Sequence, residues 1–300
     1  MDEEQYYLGD ELDKEILKHR ECHFGGHFPT MIDYYELEGL GVDEELTIDR
    51  IHYLAKVEEE LGYNLAAEML LGAEMEEIAR SRMAYKQLRA VYENDLIPPQ
   101  LLADLILSEN EDPQEEIDAI VEQGEIMISP LRNLLVADAF YSPLFPGYGL
   151  APGRAAICLG RLGDKDSIIP LFESLGKSNF LIDDAILIAL GQLKPYSTEF
   201  LLRVLRSRPI TEDNERSAMA LAAISNDDAE SATMALLELK SFDMSVYKRI
   251  AAYLIPLCHS LSDPKDRQDF LELAKNSPAV LADEFKLIEK LWKKPSAKSS

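Results

Sequence analysis

A recurring pattern of apolar and small residues constrains the fold of this chain more than any other feature. Three segments, residues 154–162, 185–193 and 216–224, align at a constant spacing of 31 residues. Large apolar residues occupy the same two positions in each segment: Leu159, Leu190 and Leu221, then Leu162, Leu193 and Ile224. A period of this length is typical of solenoids, in which helical pairs stack because no pair buries its apolar face alone.

Small residues recur in register with these apolar positions. Leu159 and Leu162 lie three positions apart, so they share one face of a helix. We expect the small residues beside them to mark places where two helices approach closely. These residues are Cys158, Ala189 and Ala220, and then Gly160, Gly191 and Ala222. A second apolar stretch follows each segment after residues that end helices, so each repeat is predicted to be a helix–turn–helix unit.

The first repeat has additional residues that resemble those of a known repeat family. It reads RAAICLGRLGD at residues 154–164 and IIPL at residues 168–171. This order resembles a HEAT repeat of the phycobilisome-lyase type, which favours an early arginine, a Gly-Asp turn and a Pro-Leu pair in the second helix. The second repeat has Ala185 in place of the arginine, and the third keeps Arg216 but lacks the glycine. The resemblance implies a HEAT/armadillo-type fold rather than a function, because one fold serves many functions.

The repeats predict how the chain is divided. Residues 1–97 do not keep the period and are predicted to form a helical N-terminal domain or a divergent cap. Pro98-Pro99 marks the predicted boundary, because proline suits the first turn of a helix. Residues 98–292 are predicted to form a right-handed α-α superhelix, and the basic residues 293–300 a disordered tail. The predicted fold class is therefore all-α.

The clearest helix predicted before the boundary covers residues 73–92. Apolar residues at near-helical spacing define its expected stripe. They are Met75, Ile78, Ala79, Met83, Leu88 and Val91. We expect this stripe to face the interior of the N-terminal domain.

The charge of the chain limits the partners that its surface suits. Aspartate and glutamate number 55 against 30 lysines and arginines, which leaves a net charge of −25. Such a surface repels phosphate backbones and anionic membranes and attracts basic proteins. We therefore expect a protein partner of basic character, and neither nucleic acid nor membrane.

The predicted location is the cytoplasm. Cys22, Cys158 and Cys258 are odd in number and far apart, which indicates no disulfide framework and fits a reducing compartment. The acidic N-terminus has no apolar run typical of a signal peptide, and no stretch reaches the length of a membrane span.

Two places are candidates for binding a partner. Residues 140–153 interrupt the repeats, and their aromatic residues Tyr141, Phe145 and Tyr148 are of the type that anchors interfaces. The alternative is a loop that folds back over the repeat beneath it. Arg203 and Arg206 belong to a local basic group, with Arg208, that either seats an acidic partner segment or neutralises nearby carboxylates.

A metal site is a further possibility near the N-terminus. His19, Cys22, His23 and His27 lie within nine residues, and His19 and His23 are one helical turn apart. Their spacing matches no zinc signature. The alternative is a set of histidines at a helix end that bond to the backbone.

No catalytic motif supports an enzyme. The sequence has neither a nucleophile motif nor a phosphate-binding glycine loop. The predicted function is therefore a non-enzymatic scaffold or adaptor that binds another protein and uses no cofactor. The alternative function is a metal-binding protein that uses the histidine–cysteine cluster. The identity of the partner and the oligomeric state are left open.

Overall fold

Helices account for all regular structure in the part of the chain that is described. The structure is a computed structural model, and it describes residues 9–37, 39–40, 47–94, 96–177, 180–225 and 227–293. Every regular element in these ranges is helical, which confirms the predicted all-α class. None of these helices combines the length and apolar character needed to cross a bilayer. Apart from Lys293, the tail predicted at 293–300 lies outside the described residues.

The chain divides into two compact units, Met1–Cys158 and Leu159–Ser300. The first unit contains α1 (Glu11–His23), α2 (Phe28–Glu36), α3 (Ile48–Leu61), α4 (Leu65–Met69), α5 (Gly72–Ala90), α6 (Ile97–Leu107), α7 (Gln114–Gln123) and α8 (Ile128–Val136). The division falls within α9 (Ala151–Leu162). The second unit contains α10 (Ile168–Ser174), α11 (Phe180–Gln192), α12 (Tyr196–Leu205), α13 (Glu212–Ile224), α14 (Ala229–Ser241), α15 (Lys248–Leu257), α16 (Pro264–Lys275) and α17 (Ala282–Lys293).

This division differs from the boundary expected at Pro98-Pro99. The two prolines lie in the first turn of α6, where proline is favoured, but α6 belongs to the first unit. Arg154 provides a physical reason, because its buried guanidinium donates to the carbonyl oxygens of Leu105 at 2.9 Å and of Asn110 at 2.7 Å. These carbonyls lie at and beyond the end of α6, so Arg154 ties the start of α9 to that helix end.

A buried arginine organises the start of the first unit. Arg20 of α1 has no exposed surface. Its guanidinium donates to both carboxylate oxygens of Glu58 at 2.8 and 2.7 Å and to Asn64 at 3.0 Å. It also pairs with Glu21 at 2.7 Å and lies over the Phe28 ring at 4.4 Å. These bonds connect α1 with α3 and with the residue that caps α4.

The second unit buries the repeated leucines. Leu159, Leu190 and Leu221 are fully buried, as the spacing predicts, and Leu193 and Ile224 are also buried. Helix α11 contacts α13, and α13 contacts α15. Among the second helices of the repeats, α12 contacts α14, and α14 contacts α16. Equivalent helices of successive repeats therefore lie side by side.

Glycine is required at one of the repeated small positions and not at another. A Cβ added at Gly160 would lie 2.7 Å from the Ala189 Cα atom and 2.4 Å from the Gln192 side-chain oxygen. A Cβ added at Gly191 would find its nearest neighbour, the Ile224 side chain, only at 4.0 Å. The close helix approach expected from the small residues is therefore present at Gly160, whereas Gly191 has room for a methyl group.

The two glycines provide a matched pair of substitutions. We expect Gly160→Ala to lower the free energy of unfolding by about 1 kcal/mol or more, because the added methyl overpacks the contact with Ala189. Gly191→Ala should raise it by roughly 0.5–1 kcal/mol, because alanine costs less backbone entropy within a helix. Urea unfolding of both variants tests this. Equal shifts in the same direction would contradict it.

Candidate functional site

A groove of about 1170 Å³ lies between α12 and the beginning of α14 in the second unit. Both arginines predicted to bind a partner, Arg203 and Arg206, line it. Glu199, Arg203 and Arg206 recur at a spacing of four and three residues, so they share the outer face of α12. The opposite face holds the helix in place through Leu201 and Leu205, which are buried.

The arginines of the basic group differ in how their charges are compensated. Arg208 donates to a Glu238 carboxylate oxygen at 2.8 Å, whereas the Arg206 Nε lies 3.8 Å from the other oxygen. Among the described residues Arg203 forms neither an ion pair nor a hydrogen bond, and its guanidinium lies 5.6 Å from the centre of the Phe200 ring. Glu238 therefore neutralises the charge of Arg208, whereas the charge of Arg203 is not compensated.

The opposite wall of the groove is acidic. It includes Asp227 and Asp228, which follow α13, and Glu230 in α14. Asp228 caps α14 by accepting from the Ser231 backbone N–H at 2.8 Å. Burial alone would raise the pKa of the Asp228 carboxyl, but hydrogen bonds from Ser231 hold it below its ordinary value. These hydrogen bonds favour the ionised form of Asp228.

Apolar side chains lie between the two charged walls. Leu202 and Met234 are half-buried, and Ile224 is buried. The groove thus combines a cationic wall, an anionic wall and an apolar floor. Sequence reasoning missed the acidic wall, since Asp227 and Asp228 read only as residues that end one helix and cap the next.

Tyr148 packs within the first unit. Its ring stacks on His23 with centroids 4.2 Å apart, and it lies parallel to Tyr34 at 6.1 Å. The neighbouring Leu144 is buried in the same core, and its carbonyl accepts from the Ser81 hydroxyl at 2.6 Å. Gly147 permits this path, because it has a φ of 84° and a Cβ there would lie 2.7 Å from the Ile106 carbonyl oxygen. For Tyr148 the geometry favours the fold-back alternative.

The other two aromatic candidates are half-buried. The Tyr141 hydroxyl donates to the Leu135 carbonyl at 2.7 Å. Phe145 meets Phe140 edge to face with centroids 5.6 Å apart. The Tyr141 hydroxyl thus bonds to α8, the Phe145 ring has a partner within the interrupting segment, and both residues belong to the first unit.

The predicted metal ligands do not come together as a coordinating set. Within the described residues no three histidine, cysteine, aspartate or glutamate side chains are grouped to hold a metal ion. The His23 Nε2 donates to the Pro143 carbonyl at 2.9 Å, so its Nδ1 accepts from the Tyr85 hydroxyl at 2.7 Å. Cys22 is buried, which raises the pKa of its thiol to about 11 and disfavours a thiolate ligand. His19 is buried and His27 exposed, so these two do not share an environment.

Comparisons with models of protein families, with characterised proteins and with solved structures find no match to this chain. The HEAT-like resemblance therefore remains a prediction from the repeat residues.

Two histidines that are shielded from solvent predict a loss of stability in acid: His19 is buried and His23 is half-buried. Burial lowers the pKa of His23 to about 4 and, aided by the charges of His23 and Lys18, that of His19 to about 3. Both stay neutral in the folded chain at pH 5, whereas unfolded histidines are protonated below about pH 6.5. The free energy of unfolding should therefore fall as the pH drops from about 6.5 towards 4, and flatten below about 3.

Replacing one histidine should remove part of this pH dependence. His23→Gln keeps a donor for Pro143 and an acceptor for Tyr85 but does not titrate. Between pH 7 and pH 5 the free energy of unfolding should fall in both proteins. We expect the fall to be smaller in His23→Gln than in the wild type, by on the order of 2 kcal/mol. Urea unfolding at both pH values measures this, with the exposed His52→Gln as a control. Parallel losses in wild type and His23→Gln would refute the assignment.

Proposed function

We propose that this protein is a non-enzymatic scaffold or adaptor that binds another protein in the groove between α12 and α14. The observation that carries the proposal is Arg203, an exposed cation without an ionic partner among the described residues, beside an apolar floor. Arginines in partly enclosed, apolar surroundings are frequent anchors of protein interfaces.

A HEAT-like solenoid is the proposed framework for this groove. The contacts from α11 to α13 to α15, and from α12 to α14 to α16, support a stacked array of helical pairs. The 31-residue spacing and the buried leucines of the repeats support the same arrangement. In stacked arrays, neighbouring repeats create extended surfaces that bind partner chains.

The walls of the groove suggest the chemistry of its occupant. From Thr198 to Arg206 the groove follows α12 for roughly 12 Å at 1.5 Å per residue, which suits a short peptide segment. A basic partner protein would be attracted by the net charge of −25 and would place a cation near Asp227. Within the same segment, a carboxylate would pair with Arg203 and an apolar side chain would cover Met234.

The hydroxyl groups of the groove favour binding over catalysis. Thr198 and Ser225 both line it, and their side-chain oxygens lie 3.3 Å apart. An activated hydroxyl nucleophile needs a base within hydrogen-bond distance. Within the described part of the chain, each hydroxyl has the other one as its hydrogen-bond partner, so the groove is proposed as a binding site.

Charge reversal at the two arginines tests the proposal. We expect Arg203→Glu with Arg206→Glu to weaken binding of the partner about tenfold or more, because both cations would be replaced by anions. The matched control is Lys248→Glu with Lys275→Glu, which makes the same change of charge at exposed positions outside the groove.

The measurement has two stages. Proteins captured from an extract of the source organism by the wild type and the control, but not by the groove variant, would be identified by mass spectrometry. The affinity of the purified partner for all three chains would then be measured by calorimetry. Equal affinity for the groove variant and the control would refute the groove as the binding site.

A further inference from the structure

Helix α5 of the first unit is long but little buried. It spans 19 residues, of which only Ile78 and Ser81 are buried. The predicted stripe is therefore wrong in part, because Met75 is 40% exposed and Met83 is 54% exposed. The buried residues turn towards α1, which α5 contacts, and leave the other side of the helix in solvent.

Basic residues occupy the C-terminal half of this exposed side. Arg82, Lys86 and Arg89 follow one another at spacings of four and three residues, so they share a face. They line a cleft of about 600 Å³, whose other lining residues include Gly25, Ala90 and the acidic Glu21 and Glu93.

The three cations differ in their existing contacts. The Arg82 Nε donates to the Glu21 carbonyl at 2.8 Å, and its guanidinium also pairs with the Glu21 carboxylate. Arg89 lies 5.9 Å from the centre of the Tyr85 ring. Within the described part of the chain, neither Lys86 nor Arg89 forms an ion pair or a hydrogen bond. Two uncompensated cations thus lie side by side in a chain with a net charge of −25.

We infer that this cleft is a second protein-binding surface, which takes an acidic, amphipathic peptide segment of a partner. Charge complementarity supports this occupant, since Lys86 and Arg89 attract carboxylates whereas the chain as a whole is strongly acidic. The inference does not depend on the groove at α12, because the two surfaces lie in different units.

The arrangement of the cations favours a peptide over a single phosphate group. Along the helix axis Arg82 and Lys86 are about 6 Å apart, and Lys86 and Arg89 about 4.5 Å. Cations in a row suit separate carboxylates on an extended or helical segment, whereas a phosphate needs donors that converge on one point. The exposed Met83 adds an apolar contact beside the row.

A model peptide tests the inference on the full chain. The probe is a short fluorescein-labelled peptide in which glutamates alternate with leucines, and its binding is measured by fluorescence anisotropy at low ionic strength. We expect the wild type to bind it, and Lys86→Glu with Arg89→Glu to weaken binding about tenfold or more. Lys86→Gln with Arg89→Gln, which removes the charges without reversing them, should give an intermediate affinity.

Two control variants test whether the loss of peptide binding is specific to the cleft. Lys56→Glu with Arg80→Glu makes the same change of charge at exposed positions of the first unit that do not line the cleft. Arg203→Glu with Arg206→Glu alters the groove at α12. Both controls should bind the peptide like the wild type, and all variants should share the helical circular-dichroism spectrum of the wild type.

Three results would overturn the inference. The first is no binding of the peptide to the wild type. The second is an equal loss in the Lys56/Arg80 control, which would indicate attraction by overall charge alone. The third is displacement of the peptide by inorganic phosphate but not by chloride of equal ionic strength, which would indicate a phosphate site.

Discussion

In the second unit, α11 and α13 carry leucines that are covered by neighbouring helices. Leu190 and Leu221 are fully buried because α11 lies against α13 and α13 against α15. The separation of the helices is set where Gly160 lets the backbone of Ala189 approach closely. Closely packed side chains transmit strain to the side chains that they contact. A change in one helix is therefore felt most by the helices beside it, and the outward faces remain available for charged residues such as Arg203.

In the first unit, two buried arginines hold together segments that are distant along the sequence. Arg20 and Arg154 are both buried, and each bonds to groups that are distant along the sequence. Arg20 meets carboxylates, so removing it would leave the Glu58 charge without its partner, a change that costs roughly 3–5 kcal/mol for buried pairs. Arg154 instead meets backbone carbonyls at the end of α6, which would otherwise lack donors. The arginine that suggested a repeat family thus acts here as a cap for another helix.

Structural features that depend on residues close in sequence can be predicted from the sequence. Features that depend on contacts between distant residues cannot. Spacing alone predicts the buried leucines of the repeats. Glu238 lies 30 positions from Arg208 in sequence, and this pairing decides which arginine of the basic group is neutralised. The Pro143 carbonyl lies 120 positions from His23 and occupies a ring nitrogen that a metal would need. In α5 apolar residues occur on all sides, so periodicity does not select the buried face, and Met75 lies outside it.

The limited burial of α5 has a consequence for its dynamics. Its backbone hydrogen bonds are protected by two buried side chains, Ile78 and Ser81, whereas α1 buries seven residues over a shorter length. Segments with few buried contacts open at a lower free energy than the rest of a domain. The amide protons of α5 should therefore exchange with solvent deuterium faster than those of α1. A bound segment would slow this exchange, so isotope uptake along one helix would report occupancy without any label on the partner.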